Sequence, residues 1–478
     1  MTFKRPLPQL SRRGFFKLGA GLAAAAAGAY AVPRALIRPA VAQAPAVRTV
    51  PDQHLVATDG WISIPGPQLP ADARPENAFH PDPYAPAGLS TYMFGFTDVS
   101  DITRGRGRFA TWSPQERTDY INSQKMQALH TAPWVGVDQE ADFWLKLTNL
   151  GLAMRPDLTD AHTVHWHGFK NAIPMFDGEP HSSMGVSIGS ELMYYYKPHD
   201  PGTYMYHCHV EETEHIHMGM TGVAYVRALQ NRGSADPLFQ ARYPGVTGIP
   251  AGRYAYNDLV SPSDPRSTRY DREYLLIFTE VWAYMHWCDA HIQLVDWTDY
   301  KADFYLINGR AYPDTLLPNG DPHDPANQGT RLQYQPHSAL IQANAGERVL
   351  LRVVNLGFKP ITVTLPGLKM RAVGRDASPL RGLTAGGLRA GADLSQRTNA
   401  LAMGSGETWD VIVEAPAAAA PTRTDDLNRG YQPYLLYNRN LQQATNGDLD
   451  GSYGGQMTEM RVYPAGTLGP QTDANQLV

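Results

Sequence analysis

Gly202-Thr203-Tyr204-Met205-Tyr206-His207-Cys208-His209 reads as a β-strand that runs into three metal-ligating side chains. Successive side chains on a strand point to opposite faces. His207 and His209 therefore share one face, and Cys208 faces the other. Upstream, His162-Thr163-Val164-His165-Trp166-His167-Gly168 divides in the same way. His165 and His167 share a face, while His162, three residues before His165, belongs to the opposite one. Downstream lie His215 and Met220, five residues apart. Two ligand groups emerge: His162, Cys208, His215 and Met220 on one side, and His165, His167, His207 and His209 on the other.

A cysteine, two histidines and a weak axial methionine are the ligand set of a blue copper centre. Hydrogen-bonded structural histidines do not account for six ligand-type residues alternating in two strands. Trp166, Tyr204 and Tyr206 are candidates for an apolar shell around the metal, although ordinary core packing explains them as well. His217 and Met218 are rival ligands to His215 and Met220. Glu211, Glu212 and Glu214, between Cys208 and His215, read as a solvated loop tip that could also attract a cationic electron donor.

Leu145-Lys146-Leu147-Thr148-Asn149-Leu150-Gly151 recurs as Leu351-Arg352-Val353-Val354-Asn355-Leu356-Gly357. Each copy alternates like a strand, stops at a turn, and precedes further strand-like runs. The repeat predicts an all-β chain of two like domains, about 45–230 and 250–467, with Gln230 to Arg253 as the linker. Gly60 to Arg117, rich in Pro, Asp and Gly, is expected to be mostly loop, and the tail after Pro464 to fray. With 43% apolar and 18% charged residues in 478, the composition excludes a disordered, collagen-like or coiled-coil chain. A net charge of −5 argues against a nucleic-acid partner.

Residues 1–42 read as an export signal: Ser11-Arg12-Arg13-Gly14-Phe15-Phe16-Lys17, an apolar run, then Ala40-Val41-Ala42 before a cut that leaves Gln43 first. This stretch carries seven basic residues and no acid, so its removal takes the charge from −5 to −12. A twin-arginine signal places the protein in the periplasm or outside the cell. Of the two cysteines, Cys208 sits in ligand chemistry, which argues against pairing it with Cys288. His286, Cys288 and His291 have the spacing of a metal site but little specificity, and Cys288 is read as a buried structural thiol.

These motifs resemble the multicopper oxidase family of the cupredoxin superfamily, over residues 50 to 465. The resemblance implies two consecutive cupredoxin-like Greek-key β-sandwich domains. It assigns His162, Cys208, His215 and Met220 to type 1 copper, His165 to type 2, and His167, His207 and His209 to type 3. Cys208, His207 and His209 would then be the catalytic electron path. Asp177-Gly178 also matches the family framework. The Cys-to-His interval is seven residues rather than the family's five, which implies two inserted residues before His215.

The second domain departs from the family. Its His-Pro-x-His-x-His motif stands as Lys359-Pro360-Ile361-Thr362-Val363-Thr364, and the strand matching Tyr206 to His209 reads Tyr437-Asn438-Arg439-Asn440. Only four ligands of a trinuclear cluster are identified. His80, His130, His181, His199, His323 and His337 have no paired spacing. A neighbouring chain in a homo-oligomer, such as a trimer, could add ligands, or the site holds one or two coppers. The histidine motif also resembles copper nitrite reductases, but these carry Asp at the position of His165 and usually lack His209. The expected activity is an exported copper oxidoreductase that moves electrons from a donor, such as a metal ion or a cytochrome, to an acceptor such as O2. The competing readings are a nitrite-reductase-like enzyme, a type 1 copper electron-transfer protein, and a structural protein that has lost copper.

Overall fold

The computed structural model describes residues 48–64, 79–446 and 454–478, so the export-signal reading at 1–42 lies outside the described residues. The chain is mostly β. Its first strands are β1 (Gln53–Ile62), β2 (Thr91–Asp98), β3 (Val135–Asp138), β4 (Phe143–Asn149), β5 (His165–His167), β6 (Glu191–Tyr196), β7 (Gly202–His207) and β8 (Thr221–Arg227). They form two four-stranded sheets, ordered β2-β1-β4-β6 and β3-β8-β7-β5. Leu55, Phe94, Leu145 and Tyr194 of one sheet share a core with Val135, Trp166, Tyr206 and Val226 of the other. Apolar residues two apart on each strand make that shared face.

The later strands are β9 (Arg272–Val281), β10 (Phe304–Ile307), β11 (Ile341–Asn344), β12 (Arg348–Asn355), β13 (Ile361–Thr364), β14 (Met370–Arg375), β15 (Ser378–Pro379), β16 (Gln396–Thr398), β17 (Ala400–Met403), β18 (Glu407–Glu414), β19 (Arg423–Thr424), β20 (Gly430–Asn438) and β21 (Met457–Tyr463). One sheet is ordered β10-β9-β12-β18-β14-β15, with β16 on β14; the other is ordered β11-β21-β20-β13-β17, with β19 on β20. Among the described residues, no ladder joins these strands to the first eight.

The sequence repeat corresponds to a repeat in topology. β4 lies parallel to β1 and antiparallel to β6; β12 lies parallel to β9 and antiparallel to β18. Each copy ends in a buried asparagine whose Oδ1 accepts the N–H two residues on: Asn149 from Gly151 at 2.8 Å and Asn355 from Gly357 at 3.1 Å. This side-chain turn ends the strand.

Two local expectations are refined. Among the described residues from Gly60 to Arg117, the loop is interrupted by more regular structure than its composition suggests: β2 pairs with β1 from Leu55↔Asp98 to Ile62↔Thr91, and helices occupy Ser100–Arg104 and Pro114–Asn122. Thr91–Asp98 buries both faces, so the pull of its apolar side chains outweighs the turn-rich composition around it. The tail after Pro464 is not frayed. Asn475 is fully buried, its Oδ1 accepting Leu275 N–H at 2.6 Å and its Nδ2 donating to Ser338 O at 2.9 Å. Between the two strand sets, residues 230–253 form a small packed body, with Leu229, Phe239, Tyr243, Ile249 and Tyr254 in one cluster.

A buried charge network joins β7 to the later strands. Arg352, fully buried on β12, donates to Glu273 at 2.6 Å, to Asp410 at 3.1 Å and to Thr203 Oγ1 at 3.0 Å. Thr203 donates in turn to Asp410 at 2.5 Å, and Thr408 donates to Thr203 O at 2.8 Å. Every charge here has an opposite partner, which is the condition for keeping it out of water.

Candidate metal centres

Cys208 follows directly on β7 and is fully buried. Its N–H bonds Met220 O at 3.1 Å, and Met220 N–H bonds His215 O at 2.9 Å, so backbone contacts stitch the three together. The sulfur faces His215 Nδ1 at 3.3 Å and His162 Nδ1 at 3.8 Å. A metal about 2.0 Å from nitrogen and about 2.3 Å from sulfur at a tetrahedral angle separates the two donors by about 3.5 Å. The observed separations bracket that value, so this donor set fits a metal. Met220 is buried in the same apolar cluster as Cys208. His162 is fixed by a two-bond bridge to Val186.

The surroundings favour a thiolate. Burial raises the Cys208 pKa, but His215 and His162 outweigh it and draw the thiol well below its usual value. Burial likewise opposes charge on His215, yet Cys208 and Asp160 push its pKa up to about 10. Thr163 N–H points at the sulfur at 3.4 Å, and Asp160 Oδ2 lies 3.7 Å from His215 Nε2. An outer carboxylate of this kind orients a ligating imidazole. Asp160 and Thr163 were not singled out from the sequence, because neither carries a motif of its own.

On the opposite face of β7, His207 sits directly across the ladder from His165. Their ring centroids are 5.3 Å apart, and His209 lies 4.9 Å from His165. His207 Nε2 is 3.5 Å from His167 Nδ1. One donor atom each from His165, His167 and His207 falls within 4.8 Å of the other two. The outer nitrogens are fixed: His165 Nδ1–H donates to Asp177 O at 2.7 Å, and His207 Nδ1–H to Cys208 O at 2.9 Å. Both Nε2 lone pairs are thereby left for a metal. Burial pushes His207 down to about 3, so it stays neutral and ready to ligate. His167 lines a 180 Å³ cavity together with Asp376, Gly406 and Thr408 of the later strands.

Other candidates go elsewhere. His217 accepts Trp282 N–H at Nε2 (3.0 Å) and rings itself with His286, Trp297, Tyr300 and Phe358. The segment expected as a loop is helical from Glu212 to Met218, which aims His215 and His217, two apart, to different sides. Glu211 and Glu212 are exposed, but Glu214 is half-buried, and burial raises its pKa. Both cysteines are free. His286 bonds Tyr92 O at 2.7 Å, His291 bonds Asp82 at 3.1 Å, and Cys288 is buried on the helix Ala283–Ala290. These three do not converge.

In the later strands, Asn438 pairs with Val363, one residue out of step with the His165↔His207 pairing. Its amide donates to Gln456 at 2.8 Å and to Gln443, and accepts from Thr362 and Asn440 N–H at 3.2 Å. A closed amide network thus occupies the place of the imidazoles.

The family model described as multicopper oxidase matches residues 132–231, the stretch that bears both histidine groups. Copper resistance protein A of Pseudomonas syringae pv. tomato is 23% identical over 318 residues, 60% of this chain and 43% of that protein. The chain thus spans less than half the length of that curated relative. Among solved structures, the multicopper oxidase mgLAC aligns with a TM-score of 0.50 and 16% identity over 86% of this chain and 85% of that one. The blue copper oxidase of Nitrosomonas europaea aligns at 0.49 and 17%, with the same coverage. The mgLAC likeness establishes a shared cupredoxin-type fold.

Proposed function

We propose that this chain is a copper-dependent oxidoreductase of the multicopper oxidase kind. A donor is oxidised at the His162–Cys208–His215–Met220 site, and an acceptor, O2, is reduced at the His165–His167–His207–His209 site. One observation carries the reading: the consecutive residues His207 and Cys208 fall in the two different donor groupings, His165–His167–His207 and His162–Cys208–His215, and His207 Nδ1–H bonds the Cys208 carbonyl at 2.9 Å. Copper supplies reversible one-electron chemistry when bound. The chain's residues supply a buried thiolate, imidazoles held in the ligating tautomer, and a short covalent path between the two sites. The multicopper oxidase match over these residues supports the assignment.

The donor is a cation, a metal ion or a basic cytochrome, drawn by Asp160, Glu211 and Glu212 beside His215. The name of the Pseudomonas relative, copper resistance protein A, fits a protein that handles copper. The twin-arginine pattern at 1–42 supports export, and the chain assembles as a homo-oligomer such as a trimer. Copper loading of the full chain should give a strong visible charge-transfer band. Cys208→Ser should abolish that band with the far-ultraviolet dichroism unchanged. A colourless copper-loaded wild type would refute the assignment.

A further inference from the structure

Accepting that copper reading, we infer that the four-histidine site is built for a single copper ion rather than a trinuclear cluster, so that each chain carries two coppers in all. The resemblance to multicopper oxidases implies three coppers at this place and a second quartet of histidines facing the first. The residues present do not fit that demand. The wall opposite His167 comes from Asp376, Gly406 and Thr408. It stands close, since a Cβ on Gly406 would lie 3.8 Å from His167 Nε2. The strands that would carry the second quartet hold the hydrogen-bonded amide of Asn438 instead.

No other histidine of the chain's 16 fills the gap. Among the described residues, the metal-competent groupings built on histidine are the Cys208 set, the His165–His167–His207 set, and His215 with Asp160 and Glu211. His181 and His199, both exposed, are held by Glu179 at 2.6 Å and Glu140 at 2.8 Å.

The four imidazoles that remain match one ion. Donors about 2 Å from a shared metal lie no more than about 4 Å apart. One atom each from His165, His167 and His207 lies within 4.8 Å of the others, so small ring rotations close them on a single centre; His209 stands outside that grouping, its ring 4.9 Å from that of His165, and is the candidate fourth donor. Shared evenly between two ions, four nitrogens leave each copper two donors, and among three ions at least one copper keeps one donor or none. The two fixed outer nitrogens, on His165 and His207, also oppose spreading the rings apart. A chain with two one-electron ions stores two electrons, half of what reduction of O2 to water takes (O2 + 4e⁻ + 4H⁺ → 2H2O).

The test is metal stoichiometry with electron paramagnetic resonance on the full chain, loaded with copper(II) and dialysed. We expect two coppers per chain, both visible in the spectrum, and two electron equivalents taken up in an anaerobic reductive titration. Cys208→Ser should retain one copper, with the wide parallel splitting of a tetragonal nitrogen site. Adding His167→Ala and His207→Ala to that variant should remove it; a copper that persists there overturns the assignment of these ligands. Three or four coppers per chain, or a spectroscopically silent coupled pair, overturns the single-ion inference. One blue copper per wild-type chain also overturns it while leaving the Cys208 site intact. No bound copper at all refutes the underlying copper reading instead.

Discussion

Replacing Arg352 with Met should cost about 3 kcal/mol of stability, and the reason lies in what it leaves behind. The side chain is fully buried and holds Glu273 at 2.6 Å, Asp410 at 3.1 Å and Thr203 at 3.0 Å. Removing one partner of a buried ion pair costs about 3–5 kcal/mol, because the surviving charge stays out of water. The lower end applies here: Glu273 keeps Arg253 at 3.4 Å, and Asp410 keeps Thr203 at 2.5 Å. At about 2–4 °C per kcal/mol for a cooperative unit of this size, Tm should fall by about 6–12 °C. Thermal melts of metal-free protein by circular dichroism measure this. Burial pushes the Glu273 carboxyl up while Arg352 holds it down, so without Arg352 it takes up a proton more readily and the deficit should narrow from pH 8 to pH 5. A loss under about 1 kcal/mol, or a deficit that ignores pH, would show that the network does not hold the two strand sets together.

His215→Ala should abolish the blue band. His217→Ala should keep it while lowering stability by about 1–3 kcal/mol, since the buried Trp282 N–H loses its acceptor; the reverse result would exchange the two assignments. Acid should destabilise the fold. Burial pushes His54, His130 and His337 down to about 3, and His80 and His286 down to about 4. They stay neutral in the native state while their unfolded counterparts protonate near pH 6.5, so their contribution is complete above that pH and is lost as pH falls toward 4 and below. Each can remove about 1 kcal/mol per pH unit, and a urea midpoint that holds or rises from pH 7 to pH 5 contradicts this. Asn438→Ala should leave the copper content unchanged and lower Tm, because its amide serves packing alone; a fall in bound copper would place a ligand in the later strands.

The ligand groups were legible because a strand's two-residue period is written directly into His-x-His and His-Cys-His. The repeat was legible because a strand that ends in Asn-Leu-Gly carries its own turn signal. Other features depend on partners far along the chain. Asn475 looks like tail until Leu275 and Ser338 supply its bonds. Thr91–Asp98 was hidden by the turn-rich residues around it, although its apolar character only needed β1 as a partner. The charge of Arg352 stands inside the Leu351–Gly357 repeat without hinting at burial, because its compensating groups, Glu273 and Asp410, are distant in sequence. Asp160 and Thr163 were missed for a similar reason: each acts on a ligand rather than being one.

The strand that delivers the ligands is gripped at its opposite end. Thr203 and His207 lie four residues apart, about 13 Å along β7, and Thr203 is held by Asp410, Arg352 and Thr408 of the later strands. The later strands therefore work as a vice whose setting fixes where the imidazoles and the thiol of β7 and its continuation stand. A substitution at Asp410 would therefore reach the candidate ligands through Thr203 and the length of β7, without touching any of them.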